Sequence, residues 1–301
     1  MAIGVILNRV FRINNNPLFD YIYRNKESIN QCYFIIPTEE FEEEAKKKAQ
    51  YYYGSIQKFM YELQRYDIEP LVHITCRDRN LIGLQSHLLG LSLIGVSEIL
   101  AITGDPSKVG HLPGATNVYD VNSKGLTELA LRFNQGINVD GDALKKHTNF
   151  NIAGAFDPNV RKLDGAVKRL EKKVAAGMSY FITQPVYSKE KIKEVYEATK
   201  HLDIPLFIGI MPIASYNNAL FLHNEVPGIK MSEDVLNQFK AVKDDKEKTK
   251  ELSLRLSKEL IDTVHEYFNG LYLITPFQRI DYSLELAAYS KAITQNKEAI
   301  S

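Results

Sequence analysis

Eight short runs rich in Val, Ile, Tyr and Phe recur along the chain: Ile3 to Leu7, Cys32 to Ile36, Leu71 to Thr75, Ile99 to Thr103, Phe150 to Ala155, Tyr180 to Thr183, Leu206 to Ile210 and Leu271 to Thr275. Most of the intervals between them carry a helical period instead. Leu recurs at 81, 84, 88 and 91 within Leu81 to Ile94, and apolar residues fall at 166, 167, 170 and 174 within Gly165 to Ala176. Strand alternating with helix predicts parallel strands joined by right-handed crossovers. The runs are apolar almost throughout, as strands covered on both faces must be. Eight such units favour a closed α/β fold, the (β/α)8 TIM barrel, over an open doubly wound sheet. A barrel of about 250 residues with one long loop uses the whole chain as a single domain, 1–301.

Charge removes some function classes. Lys plus Arg and Asp plus Glu are 37 each, so no global field concentrates nucleic acid or an anionic membrane surface. Glu39, Glu40, Glu42, Glu43 and Glu44 precede Lys46, Lys47 and Lys48, which reads as a solvated helix over Thr38 to Lys48. Lys243 to Glu251 reads the same way, and Thr294 to Ser301 reads as a frayed tail. Cys32 and Cys76 both sit in apolar runs and suit a reducing compartment. No signal-peptide pattern opens the chain, and no segment has the ~20 apolar residues a bilayer span needs. The expectation is a soluble, cytoplasmic protein that binds no metal, nucleic acid or membrane, with room for a homo-oligomer.

In a parallel barrel the strand interiors fill the core, and residues at the carboxyl ends of strands meet the ligand. His73 and Thr75, Gly104-Asp105, Thr183-Gln184 and Arg279 all occupy such places. Each also has a plain alternative: a core histidine, an aspartate capping a turn, a surface salt bridge. The connection from Gly104 to Asn149 is unusually long, turns helical only around Ser123 to Phe133, and is expected to be functional.

The wording of five tracts points further. LVHITCRDRN (71–80), EILAITGDP (98–106), KKVAAGMSYFITQPVY (172–187), PLFIGIMPIASYNNA (205–219) and LYLITPFQRIDYS (271–283) closely resemble methylenetetrahydrofolate reductase, from about Pro70 to about Ala292. The resemblance implies FAD as cofactor, contacted by His73, Thr75, Thr103, Gly104, Asp105, Tyr119 and Phe156, with Lys173 reaching its phosphates; for Tyr119 and Phe156 the plain alternative is an aromatic that packs the core. It implies Asp105 and Gln184 as catalytic residues, and Gln184, Tyr216 and Arg279 as contacts for 5,10-methylenetetrahydrofolate. NAD(P)H would supply hydride. No strand is followed by G-x-G-x-x-G, so the nicotinamide is expected to visit the folate's face of the pocket in turn, without a Rossmann site.

Residues 1–70 are worded differently. MAIGVILNRVFRINNNPLFDYIYRN, QCYFIIP and AQYYYGSIQKF resemble the N-terminal α/β segment of DNA photolyases, which places a join near Asp67-Ile68-Glu69-Pro70 and makes residues 71–301 the reductase-like units. The photolyase-like segment has the strand-helix alternation needed to stand in for the first two βα units. The resemblance also implies a loss: the reductase's first strand carries a proton-donating glutamate, and Ile3 to Arg9 holds no acid. Removing a positioned general acid costs about 10² to 10⁴ in rate, so weak reductase activity is expected. The rivals are an inactive flavin-binding remnant and a light- or DNA-related module inherited with residues 1–70.

Overall fold

A computed structural model describes residues 2–6, 31–36, 69–110, 112–226 and 228–298, with 2–6 and 31–36 described as strands only. Eight parallel strands close a ring in sequence order. They are β1 (Ala2–Ile6), β2 (Gln31–Ile36), β3 (Glu69–Thr75), β4 (Glu98–Ile102), β5 (Asn151–Phe156), β6 (Tyr180–Pro185), β7 (Leu206–Ile210) and β8 (Gly270–Leu273). All eight expected runs are strands, and the ring is completed by β1, which pairs with both β2 and β8.

Strand periodicity then divides the apolar residues between two layers. Leu71, Leu100, Ala153, Tyr180, Ile182 and Tyr272 form one buried cluster drawn from alternate strand positions, the filling of the barrel. Residues one step along, such as Val72, Ile99, Ile152, Phe181, Ile208 and Leu271, instead join Leu84, Phe133, Leu170, Ile192 and Ile261 in the larger cluster between strands and helices. This double burial is why the strands read as nearly continuous apolar runs.

The described helices are α1 (Leu81–Leu93), α2 (Ser123–Asn134), α3 (Leu163–Ala175), α4 (Lys189–Thr199), α5 (Tyr216–Glu225), α6 (Glu233–Ala241), α7 (Lys246–Tyr267) and α8 (Ile280–Glu298). Six start on a short polar side chain that accepts a first-turn N–H: Asn80, Asn122, Ser188, Ser215, Ser232 and Asp245. The solvated helix face expected over 243–251 begins at Lys246, as the exposed first turn of the longer helix α7, whose Leu254, Ile261 and Val264 are buried. One expectation changes. The tail expected to fray from Thr294 is helical to Glu298, continuing an α8 whose Tyr282, Leu286 and Ser290 are buried. The helix expected over Thr38 to Lys48 lies outside the described residues. Among the described residues no helix is long and apolar enough to cross a membrane.

Candidate functional site

The amino ends of the strands are shut by a polar plug. Glu98 is 7% exposed and accepts hydrogen bonds from Tyr180 Oη at 2.8 Å and Asn151 Nδ2 at 3.1 Å. Burial raises its carboxyl above the ordinary value, against the lowering pull of those two bonds. The folded state therefore holds the proton more tightly than the unfolded chain does. The stability Glu98 supports is complete below the ordinary carboxylate range and falls as pH rises through the raised value. Thermal melts of Glu98→Gln should accordingly lose less Tm between about pH 4 and about pH 7 than the parent does. Equal slopes would show that this carboxyl does not titrate with folding.

The carboxyl ends of β3 and β4 form the first half of a rim. His73 is half-buried with Nε2 shut off from solvent, and burial lowers its imidazole to about 3, so the ring is neutral at physiological pH. Thr75 is buried and donates to Asp78 Oδ2 at 3.1 Å. Gly104 holds φ +88, and a Cβ there would lie 3.2 Å from both Thr75 Cβ and Arg77 Cβ, so only glycine lets the β4 end close on the β3 end. Asp105 is exposed, with its carbonyl fixed by Arg77 Nη1 at 3.0 Å. Tyr119, itself at φ 49, donates from Oη to the Gly104 carbonyl at 3.1 Å and from its N–H to the Cys76 carbonyl. Thr103 accepts from the N–H of Ser123 at 3.3 Å and so ties the strand end to α2. Gly104 thus lies against Thr75 and accepts from Tyr119, which docks the long connection on the strand ends.

The other half is contributed by β5 to β8. Gln184 is exposed at a register shift in β6 between Ile182 and Pro185. Thr183 holds that irregularity: its Oγ1 donates to the Gln184 carbonyl at 2.8 Å and accepts the Gly209 N–H at 2.8 Å. Bulges of this kind re-aim a side chain at a strand end. Tyr216 begins α5, half-buried against the small apolar cluster outside β7. Arg279 is exposed beyond β8, its guanidinium 5.9 Å from the Tyr282 ring. Phe156 is 3% exposed and packs in the strand–helix layer, not in the barrel filling. Lys173 is half-buried in the last turn of α3 and donates to the Ala155 carbonyl at 2.6 Å, with its pKa lowered by burial and then by Arg169.

Two arginines in the 71–80 tract went unassigned in the sequence. Arg77 braces the Asp105 carbonyl, and Arg79 has a buried Nη1 with no hydrogen-bond partner. The available signal was their place, immediately after a strand end, where a cation can meet an anionic ligand group.

A model of the family described as "Methylenetetrahydrofolate reductase" matches residues 49–278. The chain belongs to the methylenetetrahydrofolate reductase family. The match begins ahead of the join expected at 67–70, inside the segment worded like a photolyase. It contains every assigned rim residue except Arg279, which follows its last position. "Methylenetetrahydrofolate reductase 1" of Schizosaccharomyces pombe is 22% identical over 200 residues, 65% of this chain and 31% of its own length. The "Probable methylenetetrahydrofolate reductase (NADH)" of Oryza sativa subsp. japonica is 24% identical over 226 residues, 66% of this chain and 35% of its own length. The chain therefore spans about a third of the length of these curated relatives of the reductase family. Among solved structures, a Clostridium thermocellum protein described as binding two copies of 5-methyl-5,6,7,8-tetrahydrofolic acid superposes with TM-score 0.55 at 16% identity, covering 97% of this chain and 94% of its own. That likeness is one of fold.

Proposed function

We propose that this chain reduces 5,10-methylenetetrahydrofolate to 5-methyltetrahydrofolate with NAD(P)H, using bound FAD. The observation that carries the reading is a coincidence of sequence and fold. The family match contains both Gly104-Asp105 and Gln184, and these come from β-strands whose carboxyl ends share one face of a single ring. The folate ligand described for the C. thermocellum protein of the same fold is in keeping with it.

The residues present fit FAD. Gly104 leaves the β4 end bare of a side chain, His73 is a neutral imidazole on the neighbouring strand β3, and Arg79 has an unanswered buried N–H donor for an anionic group. Lys173 would turn from the Ala155 carbonyl toward the cofactor's phosphates. When bound, FAD supplies hydride relay between nicotinamide and folate. Asp105 would set the charge beside the reacting ring and Gln184 would present donor and acceptor to the pterin edge. Tyr216 would stack on substrate and Arg279 would hold its anionic part.

β1 is Ala-Ile-Gly-Val-Ile and brings no acid to the rim, so turnover should be slow even if the pocket forms. A mosaic origin of residues 1–70, with photolyase-like strands in the β1 and β2 places, would account for that loss. In an anaerobic titration of the purified chain, NADH should bleach the bound flavin and methylenetetrahydrofolate should restore its colour. Bleaching without restoration would reduce the reading to a flavin-binding remnant, and a chain that takes up no flavin would overturn the cofactor assignment.

A further inference from the structure

Outside β6 and β7, a cavity of about 250 Å³ lies between the start of α4, α6 and α7. One wall is apolar, formed by Met211, Ile213, Phe239 and Leu256, and serines and four charged residues also stand on the lining. Two hydroxyls on the lining have nothing to bind: Tyr187 Oη and Ser253 Oγ are shut off from solvent, and neither has a hydrogen-bond partner. Ser253 is 1% exposed in the middle of α7. Elsewhere in that helix Thr249 and Thr263 donate to the carbonyls four residues back, at 2.8 and 3.2 Å. Ser253 leaves its own unused.

Buried polar atoms almost always find a partner, and cavities that stay empty are apolar ones. A cavity with two orphaned hydroxyls beside an apolar wall is instead the composition of a small-molecule site. Charge does not select an ion here. On the lining, Lys189 and Glu259 pair with each other at 3.1 Å, Lys230 donates to the His223 carbonyl at 2.8 Å, and Glu190 is exposed to solvent. Burial also keeps the Tyr187 phenol protonated and able to donate. An engineered apolar cavity of about 150 Å³ takes up benzene, so the larger space here admits one substituted ring.

We infer that this cavity binds a small, neutral, single-ring molecule carrying one hydroxyl, carbonyl or amide group. The ring lies against Met211, Ile213 and Phe239, and the polar group bonds Tyr187 and Ser253. The site shares no residue with the assigned rim and does not rest on the reductase reading. Tyr187, Met211 and Tyr216 belong to one apolar cluster, so an occupant also bears on the helix that carries Tyr216.

The test is a calorimetric titration of the full chain with phenol and with benzamide, using benzene as the apolar control. Saturable binding of phenol or benzamide about tenfold tighter than benzene is expected, weakened about tenfold by Tyr187→Phe with Ser253→Ala. Leu256→Trp, which fills the space and keeps both hydroxyls, should abolish binding while the melting transition stays cooperative. Benzene binding as well as phenol would overturn the inference, as would phenol binding unchanged by either set of substitutions. So would the absence of binding by any probe.

Discussion

Asp105→Asn is expected to lower methylenetetrahydrofolate-dependent oxidation of NADH by about 10²- to 10³-fold with little change in folding stability. The backbone around Asp105 is fixed independently of its side chain. Gly104 before it sits at φ +88, Pro106 after it at φ −57, and Arg77 Nη1 holds its carbonyl at 3.0 Å. The carboxylate itself is exposed and makes no hydrogen bond among the described residues. Exchange for the isosteric amide therefore removes a charge and leaves the turn alone, and such surface changes move stability by about 0.5 kcal/mol at most. Any large effect on turnover must then come from the charge presented to a ligand on the rim. The measurement is anaerobic kcat and KM together with flavin content. Full turnover with normal flavin content would return Asp105 to the role of a turn residue, and loss of flavin with loss of turnover would make it a cofactor-binding residue only.

The fold was largely legible because its signals are local. β-branched runs with helical intervals mark eight strands, and Asn, Ser and Asp at the helix starts mark where the crossovers begin. Facing was not legible, because it depends on register across neighbouring strands. Phe156 looks like a rim residue when it is known only to end a strand. Its parity places it with Phe181 in the strand–helix layer, while Ala155 before it takes the other face. Gln184 shows the converse: its type and place at a strand end could be read, but not the register shift that sets its direction. That shift depends on a bond from Gly209, a residue distant in the sequence. Polarity misled at the end of the chain, where burial of Tyr282 and Leu286 keeps α8 helical past residues that alone would fray. The tract 71–80 displayed Arg77 and Arg79 openly, but only folding shows that one braces Asp105 and the other is left with a buried, unanswered donor.

That dependence of Gln184 on Gly209 makes the second large effect. Gly209→Ala should cost about 1–3 kcal/mol of stability and raise KM for the folate more than it disturbs flavin retention. A Cβ at Gly209 would lie 2.7 Å from the Thr183 carbonyl oxygen and 3.2 Å from the carbonyl carbon and oxygen of Gln184. These are backbone atoms, so no rotamer change relieves the contact, and the strands must part. Gly209 also fastens the shift from both sides, donating to Thr183 Oγ1 at 2.8 Å and accepting the Val186 N–H at 2.9 Å. Parting β7 from β6 therefore moves the peptide that carries Gln184, whereas the β3–β4 end with Gly104 and His73 is not adjoined by β7. Gly90→Ala in α1 is the matched control: a Cβ there meets nothing within 4 Å, and in a helix interior the change should stabilise by up to about 1 kcal/mol. Thermal melts with steady-state kinetics on both variants separate the outcomes. If Gly209→Ala melts with the parent and leaves the folate KM unchanged, the register shift is not what aims Gln184; if both variants lose stability alike, the close approach of β7 to β6 is not the cause.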